Sequence, residues 1–405
     1  MTDIFKPDTE DQLEEIVGWA VSEGKKLKVQ GAGSKWAFGH DVSADATVDM
    51  SAFSGISLYE PAELVMTAGA GTSLSEVETL LAENNQQLAF EPPHWQSLIN
   101  GAAIEADQGT IGGTFATNLA GPRRFKDGAA RDHLLGFRAM SGRAEMFKSG
   151  GRVVKNVTGY DLSKLICGSF GTLAAITEVT FKVLPRPEKT WTALGFADDL
   201  AALAPVMPQI ASSPHEISGL TVLPADLATA TDIDLVATPG KAVIAVRIEG
   251  PGPSVEHRTA AVKAIMENAG LTTEELHSHR SVKFWQVVRD VSVLPLDAEC
   301  IWRFQTVPTE GVPLLQKIMQ FDGVTGFADW AGNQVWVTAP QTNTGDIRVI
   351  RDSMPDGHGT LIRRPDSSQA PVFQPQPAPI AALNRRIKDA FDPSGILNPG
   401  RMGDF

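Results

Sequence analysis

The stretch Gly109-Thr110-Ile111-Gly112-Gly113-Thr114-Phe115-Ala116-Thr117-Asn118-Leu119-Ala120-Gly121 decides how this chain is read. A glycine pair set among small and hydroxyl side chains lets a ligand approach the backbone and surrounds it with neutral donors. No acidic residue lies between positions 109 and 121, which disfavours a metal or a cationic ligand. The pattern suits a diphosphate; it equally suits a tightly packed loop at a helix onset. Upstream, Val29-Gln30-Gly31-Ala32-Gly33-Ser34-Lys35 leaves a short strand with glycine at alternate positions. At that spacing successive N–H groups can turn inward as an anion-binding nest. The segment has neither the GK[ST] ending of a P-loop nor the GxGxxG of a dinucleotide fingerprint, so taken alone it reads as a turn. Downstream come Lys155-Asn156-Val157-Thr158-Gly159-Tyr160-Asp161-Leu162 and the glycine-bearing run from Gly168 to Thr180. Tyr160, one of two tyrosines, is a candidate aromatic wall for a planar ligand or a core tyrosine.

Composition sets the frame. The 405 residues are 42% hydrophobic and 20% charged, an ordinary globular balance, and the length corresponds to roughly two or three domains. A net charge of −13 disfavours a general nucleic-acid binder or a chain that adheres to anionic lipid. The apolar stretch 193–211 is broken by Asp198, Asp199, Pro205 and Pro208, so no transmembrane helix is expected. Residues 1–8 carry no signal-peptide pattern. Cys167 and Cys300 stand apart, which excludes a disulfide scaffold and any cysteine zinc or iron–sulfur site held by this chain alone. Both are expected as buried small hydrophobes in a reducing cytoplasm.

Periodicity predicts helices over 9–23 and 73–84 and strands over 27–30, 56–59, 64–68 and 87–90. Leu184-Pro185 and Arg186-Pro187 mark a boundary. Beyond it, strands at 191–196, 217–223, 242–248, 301–307 and 334–337 interleave with helices at 198–211, 255–269 and 313–321. That pattern predicts an α+β layer with helices on one face of a sheet. A Pro/Gln-rich linker at 371–379 precedes a helix over 380–390 and the tail Phe391-Asp392-Pro393-Ser394-Gly395-Ile396-Leu397-Asn398-Pro399-Gly400-Arg401.

Taken in order, the three glycine segments resemble the FAD-binding domain of the vanillyl-alcohol oxidase class, also called the PCMH-type FAD domain, over most of positions 1–187. Gly121-Pro122-Arg123-Arg124, Arg131-Asp132, the 155–162 segment and the tail are similar to those of the FAD-binding (E) subunits of bacterial glycolate oxidases. The resemblance implies an α+β chain: a two-part FAD domain at 1–187, a smaller α+β cap at 188–370, and a segment 371–405 that returns to the FAD domain. It implies FAD held by Gly31, Ala32, Gly33, Ser34, Lys35, Thr110, Gly112, Gly113, Thr114, Ala116, Thr117, Asn118, Arg131, Asn156, Gly159, Tyr160, Gly171, Ile176 and Asn398, with both the 31–35 and 112–118 loops offering N–H groups to the diphosphate and Asn398 near the ring edge. Ser34 stands where covalently flavinylated members carry histidine, so the FAD is expected to be non-covalent. The cap's GDGNxH-type motif is reduced here to Asp356-Gly357-His358-Gly359-Thr360. Catalytic residues are left unassigned, and no metal is expected. Arg363-Arg364, beside His358, is a carboxylate clamp or solvated charge.

The function implied is that of an FAD-carrying subunit, accessory or electron-transferring, in a complex that oxidises glycolate to glyoxylate. Its partners would be a second flavin subunit and an iron–sulfur subunit, with membrane contact only through them. A self-sufficient 2-hydroxy-acid dehydrogenase and a structural subunit with a vestigial flavin site are the alternatives. Between positions 122 and 155, nine basic residues (Arg123, Arg124, Lys126, Arg131, Arg138, Arg143, Lys148, Arg152, Lys155) face three acidic ones, Asp127, Asp132 and Glu145. That excess serves the cofactor's phosphates, an acidic partner, an anionic substrate or a solvated face.

Overall fold

The computed structural model describes residues 3–104, 109–151, 159–368 and 370–403. The chain begins with a strand, Asp3–Phe5, and a helix, Glu10–Glu23. Thr9 caps that helix through its side chain, and Gly24 ends it in the left-handed conformation at φ 63°. Strands Leu27–Gln30 and Ala46–Asp49 follow, and the three strands pair in parallel with Ala46–Asp49 in the centre. Leu13, Val17 and Ala20, one face of the helix, are wholly buried against this sheet.

A five-stranded antiparallel sheet forms the second part. Its order is Ile56–Glu60, Val65–Gly69, Ala174–Lys182, Leu134–Ser141 and Met146–Gly150. Helices Leu74–Glu83 and Ile111–Thr117 contribute Leu74, Val77, Leu81, Ile111 and Phe115 to its core. The strand expected over 87–90 shrinks to Gln86–Gln87, paired with Leu184–Pro185. Leu88, Ala89 and Phe90 turn into the core instead, ahead of Glu91 at φ 48°.

From Lys189 onward the chain builds an eight-stranded antiparallel sheet, in the order Thr272–His277, Lys189–Ala197, Ala242–Gly250, Gly219–Leu223, Thr325–Asp329, Gln334–Ala339, Cys300–Thr306, Gly357–Arg363. The expectation of helices on one face is corrected here: both faces are covered. Gly252–Asn268, Gly311–Ile318 and Thr344–Asp352 pack one face, and Ala225–Thr229 and Ser278–Arg289 pack the other. Phe38, Trp95, Leu98 and Leu119 of the N-terminal half join that second face. The reason is visible in Ala242-Val243-Ile244-Ala245-Val246, an unbroken apolar run in which every residue is buried, where a one-sided sheet would alternate. The helix expected over 198–211 is two short ones, Leu200–Leu203 and Val206–Ala211, parted at Pro205.

The last helix, Ala378–Phe391, leads the chain back to its beginning. Leu397 bridges Leu27 in parallel, extending the three-stranded sheet, and Ile396 and Leu397 are wholly buried beside Leu13 and Val48. The Asp392 carboxylate holds this turn by accepting from the N–H groups of Ile396 (3.0 Å) and Leu397 (2.8 Å) and from Lys388.

Candidate functional site

A cleft open to solvent lies where the three-stranded sheet, the five-stranded sheet and the tail meet. Of the residues expected to bind a cofactor, Gly31, Ala32, Gly33, Ser34, Lys35, Thr110, Gly112, Gly113, Ala116, Thr117, Gly171 and Ile176 line it. Val29, Gln30, Trp36, Met50, Ala70, Phe170, Ala174 and Arg401 complete the wall and were not anticipated. Most of these are apolar strand or turn residues, whose composition carries no mark of a ligand.

The two glycine loops do different work. Where both were expected to present N–H groups, the second spends its own internally: Ile111 donates to Thr72 O, Gly112 to Ala70 O, Thr114 to Thr110 O and Gly113 to the Thr110 hydroxyl, at 2.9–3.1 Å. The hydroxyls of Thr114 and Thr117 also bond backward, to Thr110 O and Gly113 O. The amides of Gly31, Ala32, Gly33 and Ser34, by contrast, have no protein acceptor among the described residues. A Cβ on Gly31 would stand 2.8 Å from Thr110 Oγ1, so only glycine lets the loops come this close. Gly33 sits at φ 73°, the left-handed turn that swings successive amides to one side. Unpartnered N–H groups on one wall and apolar side chains on the others suit a long ligand with an anionic middle and flat apolar ends. FAD has that chemistry, and the residues present fit it.

The remaining expected residues lie elsewhere. Thr114 is buried behind the cleft. Asn118, at φ 51°, accepts from the Arg131 N–H at 3.1 Å, so this pair braces the loop end. Tyr160 is 90% exposed, neither wall nor core, and the neighbouring Gly159 also faces outward. Asn156 lies outside the described residues. Asn398 is buried and clamps backbone rather than presenting its amide to a ligand. Its Oδ1 accepts from Val29 N–H at 2.8 Å, and its Nδ2 donates to Val29 O at 3.1 Å and Phe170 O at 2.9 Å. Arg401 closes the tail: it donates to His40 O at 2.8 Å and Lys35 O at 3.2 Å and lies 4.2 Å from the Trp36 ring centroid. Burial pulls its guanidinium down to about 10.

A second polar region joins the halves. Arg247 grips Glu91 through two bonds of 2.7 and 2.9 Å, and Arg123 grips Glu249 in the same two-pronged way. The four groups also approach crosswise at 3.8 and 3.9 Å, with Trp285 under Arg247 at 4.6 Å. Burial alone would raise the Glu249 carboxyl, but Arg247 and Arg123 outweigh it and hold it at about 2. Much of the basic run at 122–155 is thus consumed internally: Arg123 here, Arg138 on Glu10, Arg143 on Ala390 O. Arg363 and Arg364 are likewise neither a clamp nor idle, since they donate to the carbonyls of Leu98 and Leu296 and of Ser368.

Cys167 and Cys300 are free and buried, and burial pushes the Cys167 thiol up to about 12. Among the described residues no cluster of three His, Cys, Asp or Glu side chains could hold a metal, and no helix is long and apolar enough to cross a membrane.

Residues 3–150 match the FAD binding domain family, and residues 377–402 match the C-terminal domain of FAD linked oxidases. The chain is 33% identical over 400 residues to the glycolate oxidase subunit GlcE of Escherichia coli, covering 98% of this chain and 97% of that one. It is 33% identical to the glycolate oxidase subunit GlcD of Bacillus subtilis, over 72% of this chain and 68% of that one. A D-lactate dehydrogenase of Archaeoglobus fulgidus is 29% identical over 45% of this chain and 39% of its own. Among solved structures, p-cresol methylhydroxylase has a TM-score of 0.69 at 12% identity, covering 99% of this chain and 88% of that one. Alkyldihydroxyacetonephosphate synthase reaches 0.67 at 16% identity, over 98% and 76%. At these identities the structural likeness shows the fold alone.

Proposed function

The chain belongs to the family of FAD-binding glycolate oxidase subunits, within the FAD-linked oxidases, and from that premise we propose that it carries one non-covalent FAD in a complex that oxidises glycolate, or a close 2-hydroxy acid, to the 2-oxo acid. The observation that carries this reading is the 31–34 loop, whose four amides are left without a protein acceptor among the described residues beside a largely apolar cleft. Those amides would hold the diphosphate, each bond to an anionic oxygen being stronger than its neutral counterpart. Trp36, Met50, Phe170 and Ile176 would pack the flat groups, and Asn398 would fix the strand and the turn from which loop and wall project. FAD supplies a two-electron acceptor that can release electrons singly to a further centre. With Cys167 and Cys300 as its only cysteines, this chain offers too few thiolates for an iron–sulfur cluster. We assign that centre to an iron–sulfur partner, alongside a second flavin subunit. Ser34 leaves the loop without an imidazole to tether the flavin.

The purified chain should be yellow, and acid precipitation should leave the flavin in the supernatant; flavin retained in the pellet would refute non-covalent binding. Dye reduction with glycolate should be negligible for the isolated chain and reach the usual enzyme range, about 1 to 1,000 per second, once the partner subunits are added. Turnover in that range by the chain alone would replace the subunit reading with a self-sufficient dehydrogenase.

A further inference from the structure

The second face of the eight-stranded sheet, the one turned toward the N-terminal half, is apolar over most of its area, with Leu194, Val243, Ala245, Phe327 and Trp336 all buried there. At one end it changes character. Register places Asp329 opposite Gln334, Gln334 opposite Gln305, and Gln305 opposite His358. Because side chains alternate between faces, these four form one polar row across four adjacent strands, on the same face as Phe327 and Trp336. Arg303 stands one rung along, opposite Trp336.

The two buried members of this row are left unsatisfied. Asp329 and Gln334 are 2% and 3% exposed, yet Asp329 Oδ1 and Gln334 Oε1 have no hydrogen-bond partner, and neither has Arg303 Nε. The remaining unpartnered buried side-chain atoms among the described residues are spread over five other side chains, none of them in this row. Arg303 makes no ion pair among the described residues and rests instead against aromatic faces, 5.6 Å from the Phe38 centroid and 5.7 Å from that of Trp95. Arg124, reaching in from the N-terminal half, is likewise without an ion pair and lies 4.5 Å from the Trp330 centroid. Trp330 follows Asp329 directly and begins three consecutive residues at positive φ: Trp330 at 52°, Ala331 at 56° and Gly332 at 89°. Strain of that kind persists only where the surroundings enforce it.

A buried cation without a counter-ion is among the costlier features a fold can retain. Burial draws the Arg303 guanidinium down to about 10, with Arg124 lowering it further, and the same two arginines add to burial in lowering His358. The buried arginines Arg123 and Arg247 between the halves each have a carboxylate, Glu249 and Glu91. Arg303 and Arg124, both half-buried, have none among the described residues, and they stand beside the two orphaned acceptors of Asp329 and Gln334. The aromatic rings of Phe38 and Phe170, at 5.0 Å centroid separation, connect this place to the cleft, since Phe170 lines it.

We propose that Arg303, with Arg124 and the Asp329–Gln334–Gln305–His358 row, forms an anion-binding chamber between the sheet and the N-terminal half that receives a small hydroxy- or oxo-carboxylate. The guanidiniums bind the carboxylate, and Gln334 and Asp329 accept from the ligand's hydroxyl. The inference rests on the proposed 2-hydroxy-acid reading for the identity of the anion, and it places substrate contact in this chain as well as in any partner.

The test is calorimetric titration of the flavin-loaded chain with oxalate, a small dicarboxylate without a hydroxyl to oxidise, and with glycolamide, a neutral analogue of glycolate. Oxalate should bind once per chain and glycolamide should not bind. Arg303→Gln should weaken oxalate by about 100-fold, the loss expected of a two-pronged charged contact, and Arg303→Lys should recover part of it. Arg124→Gln should weaken it less. The melting temperature of Arg303→Gln should hold or rise, because removing an unpaired buried charge relieves the fold; a marked fall would mean that Arg303 is a structural prop. If that variant does not fold, this too overturns the proposal. Oxalate affinity unchanged in both glutamine variants, or no oxalate binding by the yellow wild-type chain, would also overturn it. A colourless chain that still binds oxalate through Arg303 would refute the flavin reading and leave the chamber standing.

Discussion

The cleft and the chamber are both polar sites on an apolar scaffold, yet they are made from opposite materials. The cleft is backbone: glycines at 31, 33, 112, 113 and 171 line it, and the amides of Gly31 and Gly33 are left without a protein acceptor among the described residues. The chamber is side chain: Arg303, Gln305, Asp329, Gln334 and His358, brought into line by the pairing of four strands. A backbone site is written in a short window, because the residues that make it follow one another. A cross-strand row is spread over the chain from Arg303 to His358 and exists only once register is set.

That difference can be broken from either side, most forcefully in the cleft. Gly31→Val places a branched side chain where even a Cβ comes within 2.8 Å of Thr110 Oγ1. Flavin occupancy, read as the ratio of flavin to protein absorbance, should fall by more than about tenfold, equivalent to at least ~1.4 kcal/mol of binding. Gly113→Ala should do much less, since a Cβ there meets only that hydroxyl at 3.2 Å and the amide is already engaged. Equal losses in the two variants would mean that both loops hold the diphosphate.

The seam between the sites comes next. Glu91→Gln removes one member of a buried charge network and leaves Arg123 and Arg247 sharing the single carboxylate of Glu249, at a cost of about 3–5 kcal/mol in denaturant unfolding. Asn398→Ala, which deletes three bonds to the backbone of Val29 and Phe170, should cost about 1–3 kcal/mol and lower flavin occupancy with it. If occupancy is untouched, the tail does not support the cleft.

The seam and the chamber also answer to pH in opposite directions. Glu249, held at about 2, contributes stability that is complete above the ordinary glutamate range and is lost as pH falls toward 2. Asp329 is raised to about 7, chiefly by burial. The folded chain keeps that proton after the unfolded chain has released it, so stability declines as pH climbs from the ordinary aspartate value, about 4, to about 7. Asp329→Asn should therefore raise the melting temperature at pH 8 and leave it nearly unchanged at pH 4. A gain at both would point to packing rather than charge. Smallest of all, Tyr160→Phe should alter flavin affinity by less than about 0.5 kcal/mol, because the ring stands in solvent.

Legibility followed the same division. The glycine segments and the helix over Glu10–Glu23 rest on local pattern, the tail's return through Ile396 and Leu397 on the family resemblance, and all are present in the fold. What stayed hidden depends on partners distant in sequence. The sheet strands at Leu134–Ser141 and Thr325–Asp329 have no strong alternation to announce them. Whether Gly112 N–H faces a ligand or Ala70 O cannot be read from a glycine pair, since the same residue serves close packing and close approach. His358 does have arginine neighbours, as its sequence context hinted, but they are Arg303 and Arg124 rather than Arg363 and Arg364. The covered second face was legible after all, in five successive apolar residues at 242–246.

A crystal structure of the flavin-loaded chain grown with oxalate bears on both sites at once. The account predicts the diphosphate oxygens within hydrogen-bond reach of the Gly31, Ala32, Gly33 and Ser34 amides, and oxalate seated on the Arg303 guanidinium beside Gln334. Diphosphate density against the Ile111–Thr117 helix start alone, or a chamber whose arginines bind only water at saturating oxalate, would contradict it.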